Sequence, residues 1–163
     1  MILEGRDPAA VLDGLSTFAS SIDGAECASV VCAVFDRQNR TLTYSRAGHP
    51  PPLIVNGARV TWLDDAGGSL LSIDTDRPRS NAVVNVDDDD VLVLYSDGLI
   101  ERRGESLDVG LDRLAAAVTE LYGDTIHHVA DGLIRLLSPE TTRDDVVIVV
   151  KQLVSTTPSR TDS

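Results

Sequence analysis

Three aspartates at the ends of two short apolar runs have the residue type and position needed to bind a metal ion. Asp97 follows the run 91–95, and Asp144 and Asp145 precede the run 146–150. Both runs are apolar at consecutive positions, which predicts strands that are buried on both faces of a sheet. A carboxylate at the end of such a strand either caps a turn or binds a hard cation. The pattern alone leaves both roles open.

Helical patterns lie on either side of the strands that would hold these aspartates. Asp7 and Pro8 have the residue types of a helix N-cap and a first helical position. The apolar stripe that follows is expected to face the core, and it consists of Val11, Leu15, Phe18 and Ile22. Two later helices are predicted from apolar stripes at Leu111, Leu114, Val118 and Leu121, and at Ile126, Val129, Leu133 and Leu136.

The segment between the first and second helices is rich in strand and turn signals. Residues 28–47 predict one hairpin, and residues 53–63 predict a second, whose Asn56-Gly57 pair suits a type I′ turn. Several of the strands are apolar on both faces and need cover on both sides. The fold class is therefore predicted to be α+β, an α/β/β/α sandwich of two mainly antiparallel sheets flanked by helices.

The chain is acidic and of single-domain size, with 163 residues and a formal net charge of −12. Residues 1–153 are expected to form the domain, and residues 154–163 a polar, disordered tail. A charge of this sign repels a phosphate backbone, so nucleic acid is excluded as a partner.

The apolar runs are much shorter than the roughly 18 residues of a membrane span, so no membrane association is expected. Cys27 and Cys32 would lie about 16 Å apart on an extended strand, beyond the reach of a disulfide. They are expected to be reduced core residues of a cytoplasmic protein.

Three segments carry a family resemblance: YSRAGHPPPL at 44–53, LVLYSDGLIE at 92–101 and RDDV at 143–146. In this order they resemble the motifs of the metal-dependent serine/threonine phosphatases of the 2C type (PPM). The bacterial SpoIIE/RsbU-like branch is the most similar group. The resemblance implies the PPM version of the sandwich fold.

The resemblance also implies two Mn²⁺ or Mg²⁺ ions that activate water for in-line attack on phosphorus. Matched motif by motif, Asp97 and Asp144 are the implied metal ligands and catalytic residues, and Gly98 lets the backbone approach the metals. Asp145 either supports the ligands from outside the coordination sphere or serves as an alternate ligand. The carboxylates of Asp97 and Asp144 are predicted to lie within about 8 Å of each other.

His49 is a possible substrate-site residue. The resemblance places its turn near the metal cleft, where the imidazole could touch phosphate, a third metal or a bound water, but a histidine between glycine and proline equally serves to close a turn. The acidic run 87–90 is predicted to be a solvated turn, because Asp90 and Asp97 would be about 23 Å apart along one strand.

The family's first acidic motif, a Gly-Asp pair that supplies a bridging metal ligand, does not precede Asp7 in this sequence. The chain is therefore expected to be N-terminally truncated, to represent the C-terminal two-thirds of the domain, and to be a poor phosphatase by itself. An exposed sheet edge is expected to cause self-association.

Two functions are compatible with these features. The first is a phosphoserine/phosphothreonine protein phosphatase that dephosphorylates an anti-anti-sigma-like regulator in stress or sigma-factor signalling. The alternative is a non-catalytic remnant that binds such a regulator or pairs with another chain through its sheet edge.

Overall fold

Two antiparallel sheets pack face to face, with helices on their outer sides, in the computed structural model of the chain. The structure describes residues 7–23, 27–73, 77–138 and 145–154. The helices are α1 (Pro8–Ala19), α2 (Leu107–Glu120) and α3 (Ile126–Leu137). The strands are β1 (Val30–Asp36), β2 (Thr41–Ala47), β3 (Leu53–Asn56), β4 (Arg59–Trp62), β5 (Ala82–Asn85), β6 (Val91–Tyr95) and β7 (Ile148–Gln152).

The strands form a three-stranded sheet in the order β1-β2-β5 and a four-stranded sheet in the order β4-β3-β6-β7. Neighbouring strands are antiparallel throughout. Helix α1 packs on β1 and β2, whereas α2 and α3 pack on the four-stranded sheet. This arrangement confirms the predicted α/β/β/α sandwich.

Strand β6 is buried on both faces, as its sequence predicts. Leu92 packs into the core between the two sheets, while Val93 and Tyr95 pack into the core beneath α2 and α3. Burying an aliphatic side chain of this size stabilises the fold by about 1.5–3 kcal/mol. The end of β6, where Asp97 follows, is therefore held rigidly.

Strand β7 differs from its prediction. It begins at Ile148 rather than at position 146, and it lies at the end of the four-stranded sheet. Ile148 and Val150 pack against the helix-covered core, but Val147 and Val149 are 59% and 49% exposed. Val149 pairs with Leu94 and so shares the sheet face that packs between the two sheets, but at this edge of the four-stranded sheet that face stays open to solvent.

Helix α1 begins at Pro8, as predicted, with the Asp7 side chain accepting a hydrogen bond from the Ala10 amide. The predicted core stripe is wrong, because Phe18 is 63% exposed and Leu15 is 38% exposed. The buried side of the helix consists of Pro8, Ala9, Leu12, Ser16 and Ala19. Four of these five residues are small or compact, which lets the helix lie close to the sheet.

The later helices largely follow their stripes. Leu114, Val118, Val129 and Leu133 are buried as predicted, but Leu136 is 44% exposed and Leu137 takes its place in the core. In the second hairpin the two connecting residues are Gly57 and Ala58, and of these only Gly57 has a positive φ. The predicted type I′ turn at Asn56-Gly57 is therefore wrong in position by one residue, and wrong in type, because a type I′ turn needs a positive φ at both central residues.

Two predictions about individual side chains also need correction. Cys27 is exposed and Cys32 is half-buried, so only Cys32 packs near the core, against the cluster beneath α1. Asp90, expected in a solvated turn, is only 1% exposed. The described helices include none that is both long and apolar enough to cross a membrane. The tail from residue 155 onward lies outside the described residues.

Candidate active site

Asp97 begins a single 3-10 turn, Asp97–Leu99, immediately after β6. Its side chain is exposed, while Gly98 and Leu99 are buried beneath it. The Gly98 amide donates to Asp97 Oδ1 at 2.8 Å, and the Glu101 amide donates to the Asp97 carbonyl at 2.9 Å. The first bond orients the carboxylate and the second closes the backbone turn, while Oδ2 accepts no hydrogen bond from the described residues.

Ser96 joins the end of β6 to the segment before β7. Its amide donates to the Val147 carbonyl at 2.9 Å, and its hydroxyl donates to the Asp145 carbonyl at 3.1 Å. The Val147 amide in turn donates to Ser96 Oγ at 2.9 Å. The structure therefore brings the backbone of Asp145 next to the residue before Asp97, and the Asp145 side chain is exposed there.

Asp144 lies outside the described residues. The predicted approach of its carboxylate to Asp97 stays a prediction. Among the residues that the structure describes, no group of three or more His, Cys, Asp or Glu side chains is arranged to hold a metal ion.

The turn that carries His49 connects β2 of one sheet to β3 of the other. Its three prolines, at positions 50–52, supply no amide donors, yet four successive carbonyls accept a hydrogen bond. Arg46 Nη1 donates to His49 O at 2.7 Å, and Tyr95 Oη donates to Pro51 O at 2.7 Å. The Leu63 amide donates to Pro52 O at 2.8 Å. The fourth acceptor, Pro50 O, is bonded to the His49 ring itself.

The His49 ring is fixed by that bond. Nδ1 lies 2.7 Å from Pro50 O, and because a carbonyl oxygen only accepts, Nδ1 carries the proton. The ring meets Tyr95 edge-on, with centroids 6.4 Å apart. Burial lowers the pKa of His49 most strongly and Arg46 lowers it further, whereas the Pro50 hydrogen bond and the nearby Asp97 carboxylate raise it. The net shift is downward, so the imidazole is neutral at pH 7.

Glycine is required at position 48 by both conformation and packing. Gly48 has φ +62°, and a Cβ there would lie 2.3 Å from Leu70 Cδ2. Its amide donates to Gly68 O at 2.8 Å. The residue before His49 is thus packed against the loop that follows β4.

The acidic run 87–90 has a structural role at the other end of β6, where Asp90 accepts hydrogen bonds from three residues. Asp90 Oδ1 accepts from Asn56 Nδ2 at 2.9 Å and from Arg59 Nη2 at 3.0 Å. Its Oδ2 accepts from the Asp87 amide at 2.8 Å. Because β6 lies between Asp90 and Asp97, the predicted separation of the acidic run from the candidate site is confirmed.

Sequence reasoning missed three residues that shape the site: Arg46, Tyr95 and Ser96. All three lie inside the segments that carried the family resemblance. The triple proline was an available signal, because carbonyls in a segment without amide donors must find donors elsewhere. The donors themselves are fixed only by the packing of the two sheets.

Comparison with known proteins gives a consistent picture. The family model "Stage II sporulation protein E (SpoIIE)" matches residues 1–153. Phosphoserine phosphatase RsbU of Bacillus subtilis (strain 168) is 24% identical over 156 residues, which cover 92% of this chain and 47% of RsbU. The chain therefore spans about half the length of this curated relative.

Solved structures share the fold. The RsbU and RsbW domains of Rv1364c from Mycobacterium tuberculosis match with a TM-score of 0.83 and 26% identity, covering 94% of this chain and 44% of that one. The SiaA-PP2C domain of Pseudomonas aeruginosa matches with a TM-score of 0.74 and 20% identity, covering 92% and 62% of the two chains. For the SpoIIE phosphatase domain of Bacillus subtilis (Mn presoaked) the TM-score is 0.63 and the identity 18%, with coverage of 95% and 70%.

Proposed function

The chain belongs to the SpoIIE family, and from this premise we propose that it is a metal-dependent protein phosphatase domain that acts on phosphoserine or phosphothreonine. One observation carries the proposal. The family match extends over residues 1–153, and within it Asp97, the Asp145 backbone and the His49 turn are arranged around the end of β6. A curated relative is named a phosphoserine phosphatase, which favours this function over a non-catalytic remnant.

We propose that Asp97 and Asp144 are the catalytic metal ligands, with Asp145 as an alternate or supporting acid and Gly98 allowing close approach of the backbone. The donor chemistry fits, because the exposed Asp97 carboxylate keeps one oxygen free and hard cations prefer oxygen ligands. When bound, Mn²⁺ or Mg²⁺ would acidify water and stabilise charge on the phosphoryl oxygens. Two ions need more shared ligands than Asp97, Asp144 and Asp145 supply, so most of the remaining coordination positions would be filled by water.

For the substrate we propose a phosphorylated regulatory protein of the anti-anti-sigma type, acting in sigma-factor or stress signalling. Support comes from the named relatives, one of which is RsbU and another a protein with RsbU and RsbW domains. His49 is the proposed substrate-site residue. The two free cysteines support a cytoplasmic setting for the reaction.

The test is hydrolysis of p-nitrophenyl phosphate and of a phosphoserine peptide by the full chain with Mn²⁺. Turnover should be slow but above the metal-only blank, and EDTA should abolish it. Asp97→Asn should lower the rate by about 100-fold or more, because a carboxylate ligand is lost. The fold should be retained, since an asparagine Oδ1 can still accept from the Gly98 amide.

Asp89→Asn is the matched control. Asp89 is an exposed acid in the turn before β6, at the opposite end of that strand from Asp97. Its substitution should leave the rate unchanged. Undiminished turnover in EDTA, or full activity of Asp97→Asn, would rule out the proposed mechanism.

A further inference from the structure

We propose that His49 acts in the hydrolysis as the acceptor of the proton that the attacking water loses, and that it accepts this proton through Nε2. The inference rests on the proposed phosphatase function and gives His49 a specific chemical role in it.

The hydrogen bond to Pro50 O fixes the tautomer of the His49 ring. The Nδ1 proton is committed to Pro50 O at 2.7 Å, so the neutral ring carries its lone pair on Nε2. No described residue donates a hydrogen bond to Nε2. A ring held in this way can accept a proton or a hydrogen bond at Nε2 but cannot donate one there.

The His49 ring is also held rigidly. The backbone around the ring is fixed from both sheets, by Arg46 from β2 and by Tyr95 from β6. Tyr95 also contacts the ring edge-on. A base that is already oriented needs no reorganisation when substrate binds, which is a condition for efficient proton transfer.

The position of the His49 ring and the charges near it also suit a proton acceptor. Asp97 and Arg46 are the charged groups that act on the ring, with opposite effects on its pKa. Asp97 itself is a poorer acceptor, since one of its oxygens takes the Gly98 amide and the carboxylate is a proposed metal ligand. The ring contacts Tyr95, the last residue of β6 and two positions before Asp97, so His49 lies at the same end of β6 as this proposed metal ligand.

In the proposed step, His49 takes a proton from water as water attacks phosphorus. The water oxygen forms a bond to phosphorus while the bond from phosphorus to the seryl or threonyl oxygen breaks. The water proton moves to His49 Nε2, and the departing oxygen takes a proton from solvent. The imidazolium then releases its proton to solvent, and no oxidant or reductant is involved.

The activity test compares His49→Asn with His49→Ala in the full chain with Mn²⁺. Asparagine can place its amide N–H near the position of Nδ1 and so keep the bond to Pro50 O, but it has no group equivalent to Nε2. If His49 takes the proton, both variants should lose about 100-fold or more in kcat. If His49 only closes the turn, asparagine should rescue the rate that alanine loses.

His127→Asn is the matched control, because His127 is exposed on α3 and should leave kcat unchanged. Wild-type turnover together with a fully active His49→Asn would overturn this inference alone. A wild-type chain without metal-dependent turnover would overturn the proposed function and this role with it.

A second measurement does not depend on turnover. Two-bond ¹H–¹⁵N correlation spectra of the ¹⁵N-labelled chain report which ring nitrogen is protonated. We expect His49 to show a protonated Nδ1 and an unprotonated Nε2 at pH 7. A protonated Nε2 in the neutral ring would overturn the proposal whatever the kinetics show.

Discussion

Asp90 is a buried carboxylate whose two oxygens serve different donors. Oδ1 accepts from Asn56 and Arg59, and Oδ2 accepts from the Asp87 amide. Asp90→Asn should destabilise the protein by about 2–3 kcal/mol, because an asparagine NH₂ in place of Oδ2 would face the Asp87 amide donor. Chemical denaturation would measure the change. Asp89→Asn, at the exposed neighbouring position, should change stability by less than about 0.5 kcal/mol. Equal effects of the two substitutions would show that the buried hydrogen bonds of Asp90 contribute little to stability.

His49 should make stability depend on pH in the metal-free chain. Its folded-state pKa lies below the ordinary value of 6.5, so the unfolded chain binds more protons near that pH. Stability is then fully present above about pH 6.5 and declines as the pH falls below it. His49→Asn should remove this slope between pH 7 and pH 5 in thermal melts. The lowered pKa values of Asp7 and Asp36 act only below their ordinary value of 3.8. A slope that survives the substitution would assign it to another group.

At the scale of elements, the connection between β2 and β3 depends on Gly48. Gly48→Ala adds a Cβ 2.3 Å from Leu70 Cδ2 and strains a positive φ. We expect a loss of about 2–3 kcal/mol of stability and a displaced His49 turn. Gly57→Ala is the control for φ strain alone, since Gly57 has φ +58° but no atom within 4 Å of its added Cβ. It should cost about 1 kcal/mol. A Gly48→Ala effect no larger than that of Gly57→Ala would mean that Leu70 moves away freely.

The elements also show where sequence patterns fail. In α1, Leu15 and Phe18 fit a helical stripe as well as Leu12 and Ala19 do, and periodicity cannot choose between two apolar faces. The face of α1 with the smaller residues is the buried one, because small residues allow close contact between the helix and the sheet. In β7, Val149 is apolar like a core residue, but it is exposed because β7 lies at the edge of its sheet, where the face that it shares with Leu94 is open. Neighbours in a sheet are set by topology, which the local sequence does not encode.

The candidate site was predictable only in part for the same reason. Asp97 and Asp145 were found because strand-end acids next to apolar runs are a local signal. The contacts of Ser96 with Asp145 and of Tyr95 with Pro51 join residues 49 and 44 positions apart. The first pair follows from the pairing of β6 with β7, and the second from the packing of the β2–β3 turn against β6. The motif segments therefore indicated the residues but not their partners.

At the scale of the whole molecule, the outer edge of β7 is unpaired in the part of the chain that the structure describes. Val147 and Val149 add exposed apolar surface beside it. We therefore expect concentration-dependent self-association, measured by light scattering. Val149→Lys should reduce it, because an edge lysine opposes strand addition.

Val109→Lys provides the comparison, since Val109 is similarly exposed, at 48%, but lies on α2. This substitution should leave the association unchanged. A monodisperse wild-type chain at high concentration, or equal effects of the two lysines, would argue against the β7 edge as the contact.

The His49 turn is bonded to Arg46 in one sheet and to Tyr95 in the other, and this has a consequence for motion. The turn can open only if its bonds to the two sheets are broken, so local opening of the site should require more free energy than the opening of an exposed turn. In hydrogen exchange, the Leu63 and Gly48 amides, which both bond to carbonyls in or beside this turn, should exchange more slowly than the Gln38 and Asn39 amides of the exposed turn after β1. A phosphorylated segment would then meet a surface that is already formed, and the entropy lost on binding would come from the substrate rather than from the protein.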